Sequence, residues 1–337
     1  MSVARTMLYV VLFFAVFFGL LYLRFGGSTL QFLLNIGSGI LPGGQPPISY
    51  SATATHTTTP SQQLPAEAGV HSLLFPDMRW GQMPITIFVD GVSCPSEVSS
   101  NLQAAAAEWQ NDTGSAVSFS FVSSKIEGKV HVQCVSELSP SAPQREGVRV
   151  IETLGETRPT VVDTGLYNLT TAADVTFVLN TGRCTQGIVY LHELGHVLGL
   201  GHDDDPQSIM FAYEHCDQTI TSSIVSTIER LYADPALPDL YLTNVSALRH
   251  GFYADFNLSA YNRGLIATSP TKAVIDDGES ELYSLNVPSL NPGSGWFFTL
   301  TNIPVTTDFA NVSISVDPKN EINELNKANN VVFLTKQ

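Results

Sequence analysis

Three histidines and one glutamate are spaced so that together they could hold and use a metal ion. Residues His192 to His202 read His-Glu-Leu-Gly-His-Val-Leu-Gly-Leu-Gly-His. On a helix, His192 and His196 lie one turn apart on the same face, and Glu193 is rotated by about 100° toward the water beside the ion. Gly199 can adopt the left-handed conformation that ends a helix, so the following turn would bring His202 to the same ion. Three neutral imidazoles leave one position for water, which is typical of a catalytic zinc site.

Chance does not account for this motif. The chain has 8 histidines and 25 glycines in 337 residues. Given His192 and Glu193, the probability that His, Gly and His fill the next three motif positions, 196, 199 and 202, is about 4 × 10⁻⁵. Bound Zn²⁺ would polarise a scissile carbonyl, and Glu193 would take a proton from the attacking water and pass it to the leaving amine. The remaining histidines share no spacing and are predicted to make only surface or local hydrogen bonds: His56, His71, His131, His215 and His250.

The elements that must position these residues are a mixture of strands and helices. A helix over about 186–198 would carry the first two histidines, and amphipathic patterns predict further helices over about 95–110 and 220–232. Alternating patterns predict strands at 80–90, 118–122, 129–135, 159–167 and 174–179. The sequence therefore predicts strands and helices mixed in α/β or α+β fashion, with the histidine motif on a helix.

A second domain follows a proline-marked boundary. Pro235 and Pro238 interrupt the chain, and after them short alternating runs replace the helical period, among them 255–261, 295–300 and 311–316. About 100 residues of this kind predict an all-β, immunoglobulin-like sandwich. The predicted domains are a signal anchor or transmembrane helix at 1–27, a membrane-proximal segment and linker at 28–70, a catalytic domain at 71–235 and the sandwich at 236–337.

The amino-terminal run from Met7 to Leu23 contains no charged or amide side chain. Its 17 residues reach the lower limit for crossing a bilayer. We favour an uncleaved signal anchor over a cleaved signal peptide because no clear small-residue cleavage site follows. The expectation is a single-pass membrane protein with an extracellular catalytic domain, and the alternative is a secreted protein.

Charge and cysteines agree with an exported chain. The 16 basic against 31 acidic residues give a net charge of −15, which disfavours a nucleic-acid partner. Four cysteines favour two disulfides. Of the three possible pairings we prefer Cys94 with Cys134 and Cys184 with Cys216; buried free thiols are the alternative.

Residues 72–235 resemble the metzincin zinc endopeptidases, and within them the matrixins, which implies an α+β domain with a mixed sheet and an active-site helix. Beyond the zinc motif, Ser208-Ile209-Met210 is similar to the family's Met-turn. Three further features agree: Trp80, the alanine-rich helix ending in Trp109, and the closing segment 228–232. The resemblance implies a protein or peptide substrate paired with the edge strand over 159–167. It also places Met210 beneath the zinc ligands as a buried side chain that does not coordinate.

Two features extend or depart from this resemblance. Asp203 is similar to the adamalysin pattern rather than the matrixin one, and the run 203–205 could bind Ca²⁺ or form a solvated acidic turn. Residues 316–324 with Asn329 and Asn330 resemble the terminal signature of CARDB cell-adhesion domains, which implies either a surface partner for the sandwich or a passive spacer. The predicted function is thus a membrane-anchored zinc endopeptidase, and the alternative is a catalytically idle adhesion protein on the same scaffold.

Overall fold

The computed structural model describes residues 48–51, 71–136, 154–179, 184, 187–305 and 311–336. The predicted membrane segment at 7–23 lies outside them. Within the described part of the chain, no helix is long and apolar enough to span a membrane. Residues 48–337 cluster as one compact unit that contains both predicted domains.

The first domain is a mixed sheet packed with three helices. Its strands are β2 (Met78–Trp80), β3 (Ile85–Val89), β4 (Phe119–Val122), β5 (Val130–Val135), β6 (Gly155–Asp163) and β7 (Asn168–Val178). The helices are α1 (Ser96–Asp112), α2 (Ile188–Val197) and α3 (Ser222–Leu231). The order β4-β3-β5-β7 is parallel, and β2 also pairs in parallel with the first residues of β7. The sequence-predicted α+β arrangement is observed.

Strand β6 differs from the rest of the sheet. It pairs antiparallel with β7 along nearly its whole length, and its other edge has no strand partner among the described residues. The observed strand begins at Gly155, before the predicted start at residue 159, and ends at Asp163, before the predicted end at residue 167. It ends there because the Asp163 side chain accepts a hydrogen bond from the Gly165 amide at 2.8 Å, and Gly165 has a φ of +87°, which turns the chain into a hairpin.

The second domain is the predicted β-sandwich. Its strands are β1 (Ile48–Ser51), β8 (Leu240–His250), β9 (Tyr253–Asn262), β10 (Thr271–Asp276), β11 (Glu281–Val287), β12 (Gly295–Pro304), β13 (Ser313–Val316), β14 (Val331–Phe333) and β15 (Thr335–Lys336). One sheet has the order β12-β9-β8-β1-β15 and the other β11-β10-β13-β14. Phe256, Ile275 and Ile314 are fully buried between the sheets, so alternate side chains form the core as the pattern predicts.

The first strand of this sandwich comes from the predicted linker. β1 (Ile48–Ser51) lies between β8 and β15 and is antiparallel to both. The linker prediction over 28–70 contained no strand. A four-residue segment is too short for a periodic signal, and only the neighbouring strands complete its hydrogen bonds.

The carboxyl-terminal motif stabilises the loop that it forms. The Asp317 carboxylate is 1% exposed and accepts hydrogen bonds from the amides of Glu321 and Ile322. Glu324 accepts the Leu240 amide at 2.7 Å and the Asn330 side chain at 2.7 Å. Because these buried carboxylates satisfy backbone donors, the residues of the motif hold the loop in place.

Both preferred disulfides are present. Cys94 is bonded to Cys134 and Cys184 to Cys216, and no described cysteine is free. The first joins the segment before α1 to β5. The second joins the segment before α2 to the loop that follows the Met-turn.

Candidate metal centre

Helix α2 presents two of the predicted ligands. It begins after Gly187, whose φ is +72°, and carries His192 and His196 one turn apart. Two indoles fix its position, since Trp109 donates to the Leu191 carbonyl at 3.0 Å and Trp80 to the Val197 carbonyl at 2.8 Å. The two tryptophans singled out in the sequence therefore hold the helix that bears the site.

The loop after α2 brings the third histidine back. Gly199 has a φ of +99°, and a Cβ there would lie 2.9 Å from the Met78 carbonyl oxygen, so only glycine fits. An extended segment pairs with this loop. Leu74 donates its amide to the Gly199 carbonyl and Gly201 donates to the Ser72 carbonyl, both at 2.8 Å. The Ser72 hydroxyl also donates to the backbone carbonyl of His202, at 2.7 Å.

The three imidazoles converge. Nε2 of His202 lies 3.2 Å from Nε2 of His192 and 3.1 Å from Nε2 of His196. Three nitrogens each about 2.1 Å from one tetrahedral Zn²⁺ would lie about 3.4 Å apart. Among the described residues, these three form the only group of three or more side chains that could hold a metal ion.

The second ring nitrogens fix the tautomer that a metal needs. Nδ1 of His192 lies 2.7 Å from the Ile209 carbonyl, and Nδ1 of His196 lies 2.8 Å from the Leu200 carbonyl. A carbonyl can only accept, so each Nδ1 carries a proton and each Nε2 directs a lone pair at its neighbours. The donor set therefore fits a zinc ion.

Burial reinforces the neutral state of the triad. It lowers the pKa of His192 to about 4, against the opposing hydrogen bond to Ile209. Burial and the neighbouring His192 lower the pKa of His196 to about 3, and burial also lowers the pKa of His202. Imidazoles that are neutral at pH 7 bind a metal without first losing a proton.

Glu193, the predicted general base, is buried and held by strand β6. Its side chain is 3% exposed, and burial raises its pKa to about 7. Thr157 on β6 donates its hydroxyl to Oε2 of Glu193 at 2.6 Å. Gly155 on the same strand leaves the space that the glutamate fills, because a Cβ there would overlap its carboxyl group. Sequence reasoning missed both β6 residues, which carry no motif of their own.

Met210, the predicted Met-turn residue, packs against the helix that carries His192 and His196. It is fully buried, and a Cβ at Gly195 would overlap its sulfur atom. The glycine inside the zinc motif is thus required by the methionine under it. Tyr213, three residues further on, is 51% exposed and packs its ring against Phe211.

His71 was predicted to make only surface or local contacts, and that prediction was wrong. It is 5% exposed. Its Nε2 lies 2.8 Å from the Gly201 carbonyl and its Nδ1 lies 3.0 Å from a carboxylate oxygen of Asp203. Because Asp203 faces this histidine, the 203–205 run contributes to no metal-holding group in the described part of the chain. Calcium binding is therefore not supported.

The α+β fold, the helix-borne motif and the returning third histidine together form a metalloprotease-like scaffold. Residues 90–233 match the sequence model of the matrixin family, Peptidase_M10, and residues 237–333 match that of the CARDB domain. The resemblance of both domains is confirmed. No curated protein sequence matches the chain.

Solved structures similar to this chain are CARDB domains. A crystal structure of a Pyrococcus furiosus CARDB domain in complex with di-metal ions is 23% identical, with a TM-score of 0.25, over 30% of this chain and 88% of that one. A solution structure of a putative cell surface protein domain from Methanosarcina acetivorans is 20% identical, with a TM-score of 0.25, over 30% of this chain and 92% of that one.

Proposed function

We propose that this chain is a zinc-dependent endopeptidase that hydrolyses peptide bonds of extended polypeptides. The observation that carries the proposal is the convergence of three imidazoles beside a buried glutamate: Nε2 of His202 lies within 3.2 Å of Nε2 of both His192 and His196. A structural metal site needs no such base. The catalytically idle alternative leaves the buried Glu193 unexplained. A buried carboxyl group without full hydrogen bonding costs stability, and a catalytic role gives a reason for keeping it.

Zn²⁺ would be held by Nε2 of the three histidines, and when bound it supplies a Lewis acid that polarises a carbonyl and makes water acidic near neutral pH. Glu193 has one oxygen held by Thr157, so the other remains to accept a proton from the attacking water. The same carboxyl group then donates that proton to the leaving amine. A pKa near 7 suits both directions of transfer.

Strand β6 supports the choice of an extended polypeptide as substrate. Its free edge runs from Gly155 beside Glu193 to Asp163, and it offers backbone groups without a strand partner in the described structure to a chain that adds as a further strand. Antiparallel pairing is the more stable arrangement. The substrate residues that precede the scissile bond would therefore lie along β6 toward Asp163.

The cellular setting is part of the same proposal. The apolar run at 7–23 would anchor the chain in a membrane as a single-pass protein with the peptidase outside, and the two disulfides agree with an oxidising compartment. The alternative remains a secreted form. The sandwich would hold a surface partner or the substrate.

The test is cleavage of reduced, unfolded casein by the full chain. We expect one bound zinc per chain, cleavage that 1,10-phenanthroline stops, and recovery on adding zinc. Glu193→Ala should retain zinc and lose cleavage, whereas His196→Ala should lose both. Cleavage that persists in the Glu193 variant, or a metal-free protein under zinc-replete conditions, would contradict the proposal.

A further inference from the structure

The sandwich contacts the peptidase domain at the far end of strand β6. The Thr164 hydroxyl donates to the Arg263 carbonyl at 2.8 Å. Gly293 approaches so closely that a Cβ there would lie 2.8 Å from a methyl carbon of Val162 and 2.9 Å from the Asp163 carbonyl oxygen. Direct backbone contact of this kind joins the β6–β7 hairpin to the sandwich without room for a side chain between them.

The sandwich loops at this contact are themselves held rigidly. Asn262 is fully buried, and its amide nitrogen donates to the carbonyls of Ile266 and Leu290. Its side-chain oxygen accepts from the amides of Asp239 and Gly264. One side chain thus connects the loop over residues 264–266 with the turn that leads from Leu290 to Gly293. The contact surface therefore keeps a fixed shape.

A second free sheet edge begins two residues after Gly293. β12 starts at Gly295 and is the terminal strand of its sheet, paired only with β9 among the described strands. Phe297 on this edge strand is 64% exposed. It packs edge-on against Tyr261 with ring centroids 5.5 Å apart, and Tyr261 in turn lies 5.8 Å from Tyr241. Three aromatic rings therefore lie side by side across β8, β9 and β12, at the end of these strands that is next to the peptidase contact.

An unpaired sheet edge can take up a further extended chain, and Phe297 and Tyr261 give this edge apolar surface to contact its side chains. We propose that the edge of β12, with Phe297 and Tyr261, is a second docking region for the same extended polypeptide that lies along β6. This inference rests on the proposed function. The occupant follows from continuity, since the free edge of β6 ends at Val162 and Asp163, against the turn that opens β12.

The length of chain that reaches this region can be worked out. From Thr157, which contacts Glu193, to Asp163 is six residues, or about 20 Å of extended chain. From Gly293 to Phe297 is a further four residues, or about 13 Å of extended chain. Substrate residues about six to ten positions before the scissile bond would contact the aromatic row, and an apolar side chain there would cover Phe297.

The test measures binding by the Glu193→Ala variant of the full chain, loaded with zinc, so that peptides are not consumed. The probes are fluorescein-labelled casein peptides: the eight-residue core that binds most tightly, the same core with six native residues added before it, and the same core with six added after it. We expect the amino-terminal extension to tighten binding on the order of tenfold, as burial of one aromatic ring would. The carboxyl-terminal extension should change it little.

Two variants decide whether β12 provides this gain. Phe297→Ala should remove most of the gain and leave binding of the core unchanged. The matched control is Phe252→Ala, because Phe252 is 78% exposed in the β8–β9 turn at the opposite end of the same strands. An equal loss in both variants, an unchanged gain in Phe297→Ala, or a gain from the carboxyl-terminal extension instead would overturn the inference.

The outcome is separable from that of the proposed function. If the wild-type chain cleaves the core but the extension adds nothing to binding, the second docking region is wrong and the peptidase stands. If the extension binds tightly through Phe297 but no peptide is ever cleaved, hydrolysis is wrong and the docking region stands.

Discussion

Replacing the buried His71 by leucine should loosen one zinc ligand while leaving the other two in place. His71 precedes the segment that pairs with the loop carrying His202, and its ring contacts that loop at the Gly201 carbonyl and at Asp203. Leucine fills much of the same volume but offers no polar atom. The two histidines on helix α2 are oriented by other groups, the carbonyls of Ile209 and Leu200.

The size of the effect follows from the two polar interactions that the substitution removes. The Gly201 carbonyl is buried and would lose its partner, which costs on the order of 1–3 kcal/mol of folding free energy. Removing groups that orient a metal ligand typically weakens metal affinity 10- to 100-fold, or about 1.4–2.7 kcal/mol. We therefore expect His71→Leu to lower the free energy of unfolding by about 2 kcal/mol without zinc and by about twice that with saturating zinc.

The assay combines a zinc competition titration with urea unfolding in the presence and absence of the metal. The control is His250→Leu, because His250 also pairs with an aspartate, Asp255 at 3.2 Å, but is partly exposed in the sandwich. That variant should leave zinc affinity unchanged. The reasoning would be refuted if His71→Leu bound zinc as tightly as the wild type, or if both variants lost affinity equally.

Three further outcomes follow from the site. The folded chain holds the pKa of His192 near 4 and that of His196 near 3, whereas the pKa of histidine in the unfolded chain is about 6.5. Metal-free protein should therefore lose about 1–2 kcal/mol of stability per histidine as the pH falls from 7 to 5. Urea unfolding of a chain carrying both His192→Asn and His196→Asn should show a smaller loss over the same pH range. Replacing Cys184 and Cys216 together by serine opens a loop of 32 residues and should lower the free energy of unfolding by about 3–4 kcal/mol, and an unchanged denaturation midpoint would argue against a constraining role. Gly195→Ala forces a methyl group into the buried methionine sulfur and should cost about 1–3 kcal/mol, to be checked by thermal unfolding against the same change at exposed Gly91.

The sequence revealed the part of the site that is local in the chain. His192 and His196 follow from helical spacing, and the third ligand follows from a glycine where the helix must end, all within the segment 192–202. The groups that orient these ligands could not be predicted from the sequence. His71 is 130 residues from Gly201, and Thr157 is 36 residues from Glu193, so only the folded topology brings each pair together.

The fold was predictable to a similar degree. Strands and helices with clear periodicity were predicted close to their observed bounds, as α1 and β5 show. β1 was not predicted, because four residues in a segment rich in proline and serine acquire strand structure only from β8 and β15 on either side. A shortened chain starting near residue 70 would therefore lack a strand of the sandwich, and the experiments above use the full chain for this reason.

The proposed catalytic arrangement depends on two kinds of support that could be lost separately. Helix α2 is anchored through backbone carbonyls that accept hydrogen bonds from the indoles of Trp80 and Trp109. Both indoles lie deep in the core, so a substitution there would unfold the domain before it altered the site. The loop with His202 is held by the extended segment that pairs with it through Ser72 and Leu74, and β6 contacts Glu193 from a free sheet edge. A substrate strand that adds to β6 would stabilise the strand bearing Thr157, and through it the position of the Glu193 carboxylate. Substrate length and the alignment of the base should therefore be coupled, so that longer peptides raise kcat as well as lowering KM.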